Sequence, residues 1–102
     1  MRKYARTDKN HSEIVAALRK AGCSVLSLAS LGNGAPDILV GRTAYVGHET
    51  NYNFLLEVKD SDKPPSARAL TPDEQKWQAS WRGQVCTVTS VEEALRAVGV
   101  MT

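Results

Sequence analysis

Cysteine is scarce in this chain. Cys23 and Cys86 are the only two in 102 residues, and no CxxC spacing occurs. That excludes a disulfide framework, a zinc ribbon and a thioredoxin-type site. Both stand at the start of an apolar stretch, as buried free thiols of a reducing compartment do. Long apolar runs are also missing: none approaches the roughly 20 residues of a membrane-spanning helix. The N-terminal MRKYARTDKNHSE lacks the apolar core of a secretory signal. These absences lead to the expectation of a cytoplasmic protein with no membrane partner. No sign of charge dominates, since the net charge is only +2; such a balance permits nucleic acid as a partner without requiring it. Internal repeats and low-complexity segments are absent.

What is present suits one small domain spanning residues 1–102. Apolar residues make up 42% and charged residues 24%, enough for a single core under an ordinary surface. Arg2, Lys3, Arg6 and Lys9 crowd the start, so residues 1–10 read as a polar basic arm, either solvated or touching nucleic acid. HSEIVAALRKAG predicts a helix: Ile14, Leu18 and Ala21 recur at helical spacing and Gly22 is placed to end it. SVLSLASLG predicts a first strand. DILVGRTAYV and NYNFLLEVK predict the arms of a hairpin, with GHETNYN as a polar turn region. Residues 60–70 predict a loop, because Pro64-Pro65 resists regular structure. Thr71-Pro72-Asp73-Glu74 is a capping box opening a helix that Gly83 closes, and Ser90-Val91-Glu92-Glu93 is a second one after the short strand QVCTVT. The order αβββαβα implies an α/β fold with a mixed sheet of about four strands flanked by helices. The helix between the third and fourth strands is consistent with a parallel crossover, though order alone leaves the direction open.

Two charged interruptions stand out. Asp37 follows the bend Gly34-Ala35-Pro36 and sits against an apolar strand. Glu57 and Lys59 end the most strand-like segment of the chain. Side chains alternate along a strand, so Glu57 and Lys59 share one face, with Cα atoms roughly 6.6 Å apart. Pairing Val46 with Asn53 puts Val40 opposite Lys59; pairing Ala44 with Asn53 puts Ile38 there. Either register leaves Asp37 near the end that carries Glu57 and Lys59. Two neighbouring carboxylates repel unless a cation lies between them. An oxygen-only pair favours a hard ion such as Mg²⁺, with Mn²⁺ able to substitute. Such an ion suits metal-assisted phosphodiester hydrolysis, with Lys59 orienting water or neutralising transition-state charge. Taken singly, Pro-Asp is a common turn dipeptide and Glu-x-Lys a common surface pair; their conjunction in this topology is far less ordinary.

With Gln75, the set Gly34-Ala35-Pro36-Asp37 and Glu57-Val58-Lys59 resembles the PD-(D/E)xK nuclease superfamily, and within it the VRR-NUC family, the virus-type replication-repair nucleases. The similarity runs from the helix around Glu13 to the helix after Ser90. It implies a restriction-endonuclease-like core, with metal ligands at Asp37, Glu57 and the Val58 carbonyl, and with Lys59 assisting catalysis. It also implies contributions from Glu13 on the first helix and from Gln75, whose amide would reach the site or the scissile phosphate. Without the resemblance, Glu13 reads as a first-turn acid favoured by the helix dipole, and Gln75 as a solvated helix residue. Small stand-alone proteins of this kind are implied to be homodimers that cut branched DNA, including four-way junctions. A phage or prophage source fits the family.

Lys63, Arg68 and Lys76 flank the expected cleft as candidate phosphate contacts, with Arg42 and Arg6 as further DNA-binding candidates. Trp77 and Trp81, one helical turn apart, are expected in the core rather than as base-stacking platforms. His11 and His48 have no partners at metal-ligand spacing. The expected function is a Mg²⁺-dependent endodeoxyribonuclease, selective for DNA shape because the chain has no room for a separate recognition domain. The alternatives are a nuclease for flaps, ends or specific duplex DNA, and a non-catalytic nucleic-acid-binding or assembly protein with the same fold.

Overall fold

Why the first helix forms where it does is explained by both of its ends. The structure, a computed structural model, describes residues 9–101. Helix α1 (Lys9–Lys20) begins inside the segment assigned above to the basic arm. Asn10 anchors it, its Nδ2 donating to the carbonyls of Lys59 (2.7 Å) and Thr89 (3.3 Å). At the other end Gly22, at φ +98°, turns the chain, and its N–H donates to the Arg19 carbonyl; glycine meets no Cβ penalty in that conformation.

Strand β1 (Ser24–Ser27) is shorter than the apolar pattern suggests. After it, Leu28 N–H still donates to the Asp37 carbonyl, and the chain then turns through Gly32, Asn33 and Gly34, all at positive φ. Strands β2 (Ile38–Tyr45) and β3 (Glu49–Val58) form the hairpin. Its turn is tighter than the polar composition of residues 47–53 suggests, because Tyr45 already pairs with Glu49. Those polar residues form the exposed end of β3, with Thr43 Oγ1 and Asn51 2.8 Å apart across the strands. The register differs from both expected pairings: Ile38 lies opposite Leu56. By the same count Asp37, one residue before the strand, falls opposite Glu57.

Residues 60–70 hold one turn of helix, α2 (Pro65–Arg68), where a loop was expected. Pro65 occupies a first-turn position, where its missing N–H costs nothing. Helix α3 (Pro72–Ser80) opens on the predicted capping box: Thr71 Oγ1 accepts from Glu74 N–H (3.1 Å), and Glu74 Oε1 accepts from Thr71 N–H (2.9 Å). It ends before Gly83, capped by Trp81. Strand β4 (Cys86–Val88) pairs with β3 in parallel, so among the described residues the sheet has four strands in the order β1-β2-β3-β4 and is mixed. Helix α4 (Val91–Ala97) starts at Ser90, which accepts from Glu93 N–H. Only half of the second capping box forms, because Glu93 Oε1 takes the N–H and hydroxyl of Thr89 instead.

The core lies on one face of the sheet. Ile14 and Leu18 of α1 and Ala94 of α4, with Val98 just beyond it, pack against Ile38, Val40, Leu56, Val58 and Val88. Cys23 is buried and Cys86 half-buried, both as free thiols. Helix α3 lies apart from this core and buries no residue. Trp77 and Trp81, expected inside, stack on each other instead, with ring centroids 4.6 Å apart. Helical spacing says that two residues share one side of a helix; it does not say that the side faces inward. No helix among the described residues is long and apolar enough to cross a membrane.

One close approach fixes α3 to the loop before Asp37. Gly34 sits at φ +84°, and a Cβ there would overlap the backbone carbonyl of Asp73. Gly34→Ala therefore combines a left-handed non-glycine residue with an unrelieved backbone clash. It is expected to lower unfolding free energy by roughly 2–4 kcal/mol in urea titration, whereas Gly32→Ala, with open space around its Cβ position, should cost less.

Candidate functional site

At the end of the sheet where β2 starts and β3 finishes, three hydrogen bonds hold Asp37, two of them to β3 and one from the chain after β1. Its N–H donates to the Leu56 carbonyl at 3.1 Å, and its Oδ2 accepts from the Val58 N–H at 2.7 Å. Its carbonyl receives Leu28 N–H. The Asp37 carboxylate thus takes a hydrogen-bond role that a strand carbonyl would otherwise fill, which fixes its rotamer. Glu57, opposite it, is only 2% exposed and is the one charged residue among the buried ones described. Lys59 follows β3 directly, its N–H donating to the Val88 carbonyl. Its ammonium lies 3.6 Å from Glu57 Oε2.

The sequence reading missed a fourth member. Glu74 Oε1 lies 2.8 Å from Lys59 Nζ, closer than Glu57 does. The same oxygen completes the α3 capping box, and that helical role was sufficient to account for a Glu at this position. The signal that could have exposed it is the need of Lys59, placed beside a buried carboxylate, for a hydrogen-bond partner of its own. Burial, then the Asp37 charge, then Glu74 push the Glu57 carboxyl up to about 9. A protonated Glu57 can donate to Glu74. Burial would lower the Lys59 ammonium, but the hydrogen bond to Glu74 and the surrounding carboxylates outweigh it and raise the group. Burial likewise opposes ionisation of Glu74, yet the bonds from Lys59 and from Thr71 N–H hold it below the usual carboxylate range.

This donor set fits a hard divalent cation. Glu57 Oε1 is buried and has no hydrogen-bond partner, and burial with a facing carboxylate makes its anionic form costly unless positive charge is added. Among the described residues no three His, Cys, Asp or Glu side chains form a ready-made metal cluster. A site of two carboxylates completed by main-chain oxygen, water and substrate is what Mg²⁺ commonly uses.

The remaining candidates divide clearly. Val58, between Glu57 and Lys59, is the donor that holds Asp37. Gln75 is exposed, and its Nε2 donates to the Leu70 carbonyl, so its amide is spent locally rather than at the carboxylates. Glu13 is exposed on α1, and no charge acting on Glu57 comes from it. Arg42 lies five residues along β2 from Asp37, about 16 Å at strand rise, and donates to the Val98 carbonyl beyond α4; it belongs to the core side and not to the site. Lys63 is exposed in the loop after Lys59, and Arg68 is half-buried at the end of α2. Lys76 is exposed on α3, beside a cleft it shares with Asn33, Asp73, Trp77 and Ser80. Arg6 lies outside the described residues.

No family model, no curated protein and no solved structure matches the chain. The functional reading therefore stands on the geometry of these residues and on the resemblance of their pattern.

The raised Glu57 group makes stability depend on pH. Without metal, the folded protein holds a proton that the unfolded chain releases above its ordinary value of 4.5, so stability is greatest below that value and is lost as pH rises toward about 9. Glu57→Gln should abolish this slope, and at about pH 8 the variant should be more stable than the metal-free wild type by roughly 1–3 kcal/mol. Denaturant unfolding across the window, in EDTA, checks both; parallel curves for the two proteins would refute the assignment.

Proposed function

We propose that the chain is a metal-dependent DNA endonuclease of VRR-NUC type, built on a restriction-endonuclease-like core. Its reaction is hydrolysis of phosphodiester bonds, and its substrate is branched DNA such as a four-way junction. A homodimer in the cytoplasm supplies one such site per strand. The single observation that carries this reading is the placement of Asp37 opposite a buried Glu57, with the Lys59 ammonium alongside.

Asp37, Glu57 and the Val58 carbonyl would hold Mg²⁺ or Mn²⁺, which supplies Lewis-acid polarisation of a phosphate oxygen and lowers the pKa of nearby water. The chain's own residues do the rest. Asp37, pinned by Val58 N–H, needs no rearrangement to face the substrate. Lys59 has a raised pKa and is cationic at neutral pH. It therefore acts as a fixed donor to the charge that builds on the phosphoryl oxygens, and not as a base. Glu74 is a positioning residue: it holds the Lys59 amine and couples its place to the start of α3. The burial of Glu57 keeps bulk water away from its carboxylate, where electrostatic interactions are stronger.

The test is nicking of supercoiled plasmid, together with labelled junction, flap, nicked and linear duplexes. Mg²⁺ should give cleavage, with the junction cut fastest, and EDTA should abolish it. Lys59→Ala, checked for folding by circular dichroism, should lose about 100-fold or more in rate. The reading fails if neither Mg²⁺ nor Mn²⁺ supports cleavage of any DNA form, or if Lys59→Ala matches wild type.

A further inference from the structure

A cleft of about 340 Å³ opens on the sheet face away from the core, lined by Leu39, Asn53, Leu55, Trp81 and Gln84. Leu39 pairs with Leu55 across β2 and β3, so the two leucines form its floor. Alternation puts Leu39 on the same face as Asp37, and Leu55 on the same face as Glu57. The cleft is thus one side-chain step, roughly 6.6 Å, from the carboxylates. Its wall is the Trp81 indole, 44% exposed. The ring is not free to swing: its Nε1 donates to the Gln84 carbonyl at 3.1 Å, and it stacks on Trp77. Gln84 itself is spent on the β3 backbone, accepting from Leu55 N–H and donating to the Leu55 carbonyl. The exposed carboxamide of Asn53 remains on the rim, with a donor and an acceptor to offer.

We propose that this cleft takes one unpaired DNA base, swung out of its stack next to the phosphodiester that the carboxylates face. An aromatic wall, an apolar floor and one amide at the edge match the flat faces and polar edge of a nucleobase. The exposed Lys76 and Arg82, on either side of the tryptophan pair along the chain, bring positive charge to the flanking phosphates. The adjacency to Asp37 and Glu57 places base and phosphate of one nucleotide within reach of one another. Branched DNA offers unpaired or easily unpaired bases at its branch point, so the cleft gives the selectivity proposed above a physical basis. The inference rests on that reading for its choice of DNA.

The experiment is binding of the full chain, in EDTA, to two duplexes of identical length, one fully paired and one with a single unpaired base. Trp77 and Trp81 are the only tryptophans, so indole emission reports on the stacked pair of which Trp81 forms the cleft wall. The unpaired duplex should bind more tightly and quench the emission. Trp81→Ala should lower affinity for the unpaired duplex by about five- to 100-fold and leave the paired duplex within about twofold. Trp81→Phe should restore most of the difference, and Asn53→Ala should reduce it with folding unperturbed at an exposed position. Equal affinities without quenching would overturn the inference. So would a Trp81→Ala chain that sediments as a smaller species with its DNA preference intact, which would give the cleft to a second copy of the chain. Plasmid nicking separates the two readings: wild-type cleavage without an unpaired-base preference removes only this inference. The preference without any cleavage removes only the nuclease.

Discussion

A carboxylate withdrawn from water must be matched by charge, and Glu57 is the point at which this small protein meets that demand. The start of β2, the end of β3 and the first turn of α3 each bring a charged group to it. Strand β2 begins one residue late so that Asp37 can accept the Val58 N–H. The chain after β3 brings Lys59 alongside, and the first turn of α3 brings Glu74 to hold Lys59. Burial first, and then the carboxylates of Asp37 and Glu74 against the single Lys59 ammonium, make Glu57 hold a proton well above the usual carboxylate range. An arrangement built only for stability would be better served by an apolar side chain there. On the proposed reading, a divalent cation would have to displace that proton to reach the Glu57 oxygens.

Much of this was visible in the sequence, and for a definite reason. Side-chain alternation depends only on parity along a strand, so Glu57 and Lys59 share a face whatever the strand pairs with. Asp37 precedes one arm of an antiparallel hairpin and Glu57 closes the other, so an error in register slides the pair along the sheet without separating its ends. Both expected registers were wrong, yet Asp37 was still assigned to the correct end of the hairpin. Glu74 escaped because its role at the helix start explained it completely. Gln75 was favoured over it by pattern, but its amide turns back to Leu70. Arg42 was misplaced because charge alone does not reveal which side of a sheet is covered. The tryptophans were misplaced because a helix tied down at its ends can stand off the core.

Helix α3 joins these threads. Gly34 lets its first turn approach the loop before Asp37 closely, and the capping box fixes where that turn begins. From there the helix carries Glu74 at the carboxylates and Trp77 toward its far end, with Trp81 as its cap. Contacts at one end of a nine-residue segment thus set the position of an aromatic surface more than a turn away. The helix needs no buried side chain to do this, because its ends are held by backbone and cap.

The outer half of the β2–β3 hairpin has a different character. Between Thr43 and Asn53 only Ala44 is buried, and Tyr45 and Val46 are each at least three-quarters exposed. Its ladder is complete but has no core beneath it. Amides in this wing can therefore open by breaking a few cross-strand bonds, while those near Leu56 and Val88 exchange only when the body itself comes apart. The molecule carries two tiers of cooperativity in one sheet, and melting from the tip inward would leave the carboxylate end the last to lose its shape.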